Sequence, residues 1–194
     1  MVDSAGVPAP EEGAVLVALA VEAVAARLSG RHPRPGVPEF PRLLATGASF
    51  VTLERAGRLR GCIGTVEARR PLYLDVMRNA RQAMTDPRMP PVNAADWPEL
   101  DVKVSVLSPP APLDAPDRTA LVQALRPGVD GLLITDGERR ATFLPSVWAK
   151  LPDPAEFLAA LLAKGGWRAW PDGLTASRYT TTEFVDPAPR SALR

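Results

Sequence analysis

Between Glu11 and Ser29 the apolar residues Val15, Leu16, Leu19, Ala23, Val24 and Leu28 recur mostly three and four positions apart. That spacing predicts an amphipathic helix, with an acidic first turn at Glu11 and Glu12 and a stop at Gly30. The run from Arg31 to Pro38 carries three prolines, which remove amide donors and fix φ, so it predicts an extended loop. Strand formers then fill Ser49 to Arg55 and Arg58 to Thr65 on either side of Ala56-Gly57, the pattern of a hairpin with a two-residue turn. Helical spacing resumes at Tyr73, Val76, Met77, Ala80 and Met84 and ends at Asp86-Pro87.

From Asp101 to Val106 polar and apolar residues alternate strictly, as in a strand with one buried face. A short helix over Asp117 to Leu125 and a second hairpin, Gly131 to Thr135 and Arg139 to Leu144 around Asp136-Gly137, follow. Asp153, Pro154 and Glu156 supply an N-cap, a first-turn proline and a capping carboxylate for a helix with the apolar stripe Phe157, Leu158, Leu161 and Leu162. Arg178 to Val185 predicts one last strand, and residues 187–194, with few apolar side chains, a flexible terminus like residues 1–10. Hairpins mixed with helices, without regular βαβ alternation, define an α+β fold with a largely antiparallel sheet.

A chain of 194 residues buries about 70% of its unfolded surface, enough for a core without disulfide or metal staples. A net charge of +1 and 6% aromatics give no global footprint for nucleic acid or an acidic membrane. The single cysteine, Cys62, has no internal partner, which fits a reducing, cytoplasmic compartment. The first residues lack a basic leader, and the apolar stretch from Ala14 to Ala26 is too short to span a bilayer.

Cys62 is also the first candidate for chemistry. On a strand it shares a face with Arg58 and Arg60, an electropositive setting of the kind that activates thiols, while Leu59 and Ile63 take the other face. Gly61 and Gly64 would let a backbone or ligand approach closely. The opposing reading is equally physical. Free cysteine is often a small buried hydrophobe, and a two-residue turn sets Cys62 opposite apolar Val51. Thiol hydrolases pair cysteine with histidine, and the lone His32 sits in the proline loop, where a solvated role is the ordinary one. One histidine and one cysteine cannot form the common zinc sets, so no metal ligands are assigned. Asp86 and Arg88 set an acid beside a guanidinium, either to orient a ligand or to turn the chain. The many arginines between Arg55 and Arg88 would suit a small anionic ligand. Nucleotide-loop glycine patterns and the Gly-x-Ser-x-Gly elbow are absent.

Leu59-Arg60-Gly61-Cys62-Ile63-Gly64-Thr65, with Phe50-Val51-Thr52-Leu53 before it, resembles the signature of the AMMECR-type domain, AmmeMemoRadiSam system protein A. Asn79-Ala80, the run from Asp86 to Val92, the run from Val104 to Ser108, Gly131-Leu132, Thr142 to Pro145 with Val147, and Lys164-Gly165-Gly166 match successive blocks in order. Met89 stands where the pattern more often has an aromatic residue, and the stretch from Lys150 to Ala155 is compressed. The resemblance implies one domain over 11–186: an antiparallel sheet flanked by helices, in two subdomains with the signature near a cleft between them. It implies partners of two kinds, a Memo-like protein and a radical S-adenosylmethionine enzyme, but no reaction and no cofactor. Cys62 is thus the candidate catalytic group, and Arg60, Gly61, Ile63, Gly64, Thr65, Asp86 and Arg88 are candidate ligand-binding residues. The alternative is a protein-interaction module in which the signature is structural.

Overall fold

A computed structural model describes residues 7–32 and 36–193. The expectations for residues 1–6 and for the middle of the proline loop lie outside the described residues. In chain order the elements are α1 (Pro10–Leu28), α2 (Pro41–Leu44), β1 (Thr46–Gly47), β2 (Ser49–Arg55), β3 (Arg58–Gly64), β4 (Arg70–Pro71), α3 (Leu72–Ala83) and β5 (Leu100–Leu107). There follow β6 (Ala111–Leu113), α4 (Arg118–Ala124), β7 (Gly131–Thr135), β8 (Arg140–Phe143), α5 (Pro154–Lys164), β9 (Thr175–Tyr179) and β10 (Thr181–Asp186). Every pairing with a resolved register is antiparallel, and the fold is α+β.

Two compact units divide the chain: Met1–Leu107 with Thr182–Arg194, and Ser108–Thr181. The first contains a four-stranded sheet in the order β10-β5-β2-β3 and the small β1-β4 pair. Alternation works as the sequence demands, because Val102, Val104 and Val106 of β5 join Val51 and Leu53 of β2 in a core completed by Leu16, Ala20 and Val24 of α1 and Val76 and Ala80 of α3. Ala9 leaves its amide to the Glu12 carboxylate at 2.8 Å, which closes the start of α1.

The second unit orders its strands β6-β9-β7-β8. Its core gathers Leu132 and Ile134 of β7 with Phe157, Leu158 and Leu161 of α5, and Trp148 stacks on Phe157 at 3.8 Å. Asp153 caps α5 by accepting the amides of Ala155 and Glu156.

Two expectations need correction. The predicted final strand is really two, β9 and β10, each in a different sheet. The break falls at Thr180, whose amide donates to Ser108 Oγ at 3.0 Å while its carbonyl accepts from Ser108 N–H at 2.9 Å. The segment after Pro187, expected to be a flexible terminus, is tied down by polar contacts and by Leu193, which packs on the core. Arg190, its side chain only 5% exposed, donates to the carbonyls of Leu100 and Asp186 and lies over the Trp97 ring, and Trp97 Nε1 donates to the Ser191 carbonyl at 2.7 Å. Among the described residues no helix is long and apolar enough to cross a membrane.

Candidate functional site

The signature occupies β3, an edge strand of the first sheet. A β-bulge at Leu53/Glu54 governs its geometry: Arg55 pairs with Arg58 and Glu54 with Leu59, but Leu53 pairs with Gly61, leaving Arg60 as the extra residue. Cys62 therefore faces Thr52, not Val51 as a regular ladder would require, and Val51 faces Ile63. The bulge corrects Leu59 as well, which is 39% exposed, while Ile63 packs on the core. Lys103 of β5 pairs with Thr52 on its other side, so Cys62, Thr52 and Lys103 form one row on the face opposite the buried valines.

Thr52 Oγ1 donates to the half-buried Cys62 sulfur at 3.2 Å. Beside it the Lys103 ammonium binds Glu54 at 2.8 Å, a hydrogen bond that raises the lysine pKa. Behind the strand, Gly61 is pressed so closely to α3 that a Cβ there would lie 1.9 Å from the Ala83 carbonyl oxygen. Gly64 lies against the Phe50 ring.

An edge strand normally exposes unpaired amides and carbonyls. Here Asp86-Pro87-Arg88 closes the edge at Cys62: the Asp86 carboxylate accepts Cys62 N–H at 3.0 Å, and Arg88 donates to the Cys62 carbonyl at 2.8 Å. Arg88 also reaches both Asp86 oxygens, at 2.9 and 2.6 Å. Asp86 is buried, yet its hydrogen bond with Arg88, helped by the Cys62 and Arg88 amides, outweighs desolvation and holds the carboxyl well below its usual pKa.

Arg60 leaves the thiol for another partner, giving its guanidinium to buried Asp96 at 2.9 Å; its Nε is buried without an acceptor. Burial pushes the Asp96 carboxyl up, but the Asn93 amide and the Arg60 and Arg55 guanidinia together draw it down. Arg55, Arg58, Arg60, Asn93 and Asp96 border a depression of about 630 Å³. Thr65, the last signature residue, donates to Asp75 at 2.6 Å. That fully buried carboxylate also accepts from Ser49 N–H and Oγ, Asn79 Nδ2 and Arg70, at 2.7–3.1 Å.

The structure thus joins Cys62, Asp86 and Arg88 directly and sends Arg60 and Thr65 to separate carboxylates. Sequence reasoning missed Thr52, Asp96 and the Ser49–Asp75–Asn79 cluster. Asp75 lies in the first turn of α3, where an acid is ordinary, and the Thr52 contact depends on the bulge. His32 is exposed beyond the end of α1, and among the described residues no group of three or more His, Cys, Asp or Glu could hold a metal ion.

Fold and site together define an α+β class of protein with a clamped cysteine on an edge strand. The chain belongs to the AMMECR1 family, whose model matches residues 17–184. It is 38% identical over 159 residues to a protein of Methanothermobacter thermautotrophicus, covering 80% of this chain and 83% of that one. A protein of Thermofilum pendens is 36% identical over 200 residues, covering 93% and 92%. The crystal structure of protein PH0010 from Pyrococcus horikoshii superposes with a TM-score of 0.83 at 30% identity, covering 96% of this chain and 97% of that one.

Proposed function

We propose that this chain is a small-molecule-binding domain whose ligand meets the outward face of the β2–β3 hairpin at Cys62, in a system shared with a Memo-like protein and a radical S-adenosylmethionine enzyme. One observation carries the reading: Asp86 and Arg88 lock both main-chain groups of Cys62, while its sulfur stays half-buried with a hydroxyl donor on it. Fixing a backbone on both sides while the side chain remains accessible is how a scaffold holds a reacting or anchoring group in place. Among the described residues no histidine is hydrogen-bonded to the thiol, and Asp86 is spent on the Cys62 amide and on Arg88.

Iodoacetamide at neutral pH is the direct test. The folded protein is expected to be alkylated at Cys62, and the Thr52→Val variant to react at a changed rate with its fold intact. A thiol that stays inert until the chain is denatured would end this reading.

The alternative, a protein-interaction module with a structural signature, draws support from Gly61 and Thr65, both spent on internal contacts with α3. Cys62→Ala separates the two: an interaction module keeps cellular function with alanine there, and a ligand-binding thiol loses it.

A further inference from the structure

On the opposite side of α3 from its buried face, the first unit has a second concavity, of about 400 Å³, lined by no residue of β2 or β3. Leu74, Met77, Arg78, Arg81 and Thr85 of α3 and its C-terminal turn border it, together with Arg27 at the end of α1. Its apolar part is Met77, nearly buried, and Leu74, an exposed large hydrophobic residue. Spacings of three and four residues stack Leu74 under Arg78 and Met77 under Arg81, so apolar and cationic positions rise in two adjacent columns.

Most guanidinia of this unit meet a carboxylate, as Arg42, Arg55, Arg60, Arg69, Arg70, Arg88 and Arg190 do; Arg31 and Arg58 are exposed without one among the described residues, but neither borders this concavity. Arg27, Arg78 and Arg81 form no ion pair among the described residues. Helix ends account for part of this, since Arg27 and Arg81 lie in the last turns of α1 and α3, where positive charge is favourable. Arg78 lies outside that last turn and sets a second like charge three residues before Arg81. Three unpaired cations over an apolar patch leave one complement missing, an anion of more than one charge with an apolar body.

We propose that this concavity binds a soluble phosphate monoester with an apolar or aromatic substituent, the phosphate held by Arg27, Arg78 and Arg81 and the substituent resting on Met77 and Leu74. Guanidinium groups suit the paired oxygens of a phosphate, and the volume lies within the range of small-molecule sites.

Phenyl phosphate serves as the probe, titrated into the full chain by calorimetry and by NMR of methyl-labelled methionine. Saturable binding with a dissociation constant under about 1 mM, with the Met77 methyl shifted, is expected. Arg78→Gln should weaken it about tenfold and Arg78→Gln/Arg81→Gln more, with melting temperatures unchanged at these exposed positions. Arg58→Gln, on the hairpin, should leave it as it is. Iodoacetamide labelling of Cys62 should be the same in all these variants, which keeps this site's fate apart from that of the hairpin. Failure to saturate by about 10 mM, or equal affinity in the double variant, would overturn the proposal. Inorganic phosphate binding as tightly as the ester would overturn it too, as would sedimentation with phosphatidic acid vesicles in the absence of phenyl phosphate binding.

Discussion

The two hairpins of this protein are organised by carboxylates in opposite ways. In β7–β8, Asp136 sits in the turn itself: it accepts the amides of Glu138 and Arg139, binds the Arg139 guanidinium and takes Trp167 Nε1–H at 2.7 Å. In β2–β3 the turn holds no acid. Asp75, Asp86 and Asp96 arrive from α3 and the segments after it, and bind the start of β2, the middle of β3 and the bulge. One hairpin is stabilised largely by its own turn, the other by parts of the chain 24 to 36 residues away. A hairpin held from outside has its strands placed against a helix as well as against each other, and that is what lets β3 present a fixed cysteine.

The contrast sharpens into a ranking of substitutions. Asp75→Ala strands the Ser49, Thr65 and Asn79 donors and the Arg70 charge, and should cost about 3–5 kcal/mol in urea unfolding. A loss below about 1 kcal/mol would show that the external anchor matters little. Gly61→Ala comes next, at about 3 kcal/mol, because its Cβ meets a backbone carbonyl that cannot rotate away; the melting temperature reads this.

Asp86→Asn should cost about 1–2 kcal/mol, tempered by the solvent exposure of Arg88, and should change the acid limb of the stability curve. The folded carboxyl lies below its ordinary value of 3.8, so its contribution is complete above that pH and drains away as pH falls towards the depressed value. Wild-type stability should fall along that limb more steeply than that of the asparagine variant, and parallel curves would contradict the clamp. Asp136→Asn should have the smallest effect, because the asparagine Oδ1 still accepts the Glu138 and Arg139 amides and only the bonds to Oδ2, from Trp167 Nε1 and the Arg139 guanidinium, are lost; amide exchange around the turn reads this, and a global loss matching that of Asp75→Ala would erase the distinction between the hairpins.

The same division explains what could be read from residues alone. Strand β5 was legible because its alternation encodes one buried face, and the start of α5 because Asp153, Pro154 and Glu156 act within one turn. The β2–β3 hairpin was legible as an element, but not its register, since nothing in Leu53-Glu54 or Arg60 announces a bulge. Cys62, Asp86 and Arg88 were singled out from their chemistry and their blocks, yet the bonds between them join strand to loop across two dozen positions. The docking of the segment after Pro187 escaped for a related reason: beside the lone apolar contact of Leu193, its attachments include a guanidinium on carbonyls and an indole on a carbonyl, which hydrophobic periodicity does not register.

Because residues 108–181 form their own unit between two parts of the other, β10 emerges from the ribosome only after that whole unit has been made. During synthesis the inserted unit can close its core while its host still lacks β10 and the Arg190 lock, so the nascent host waits, one strand short, for the segment that follows the insertion.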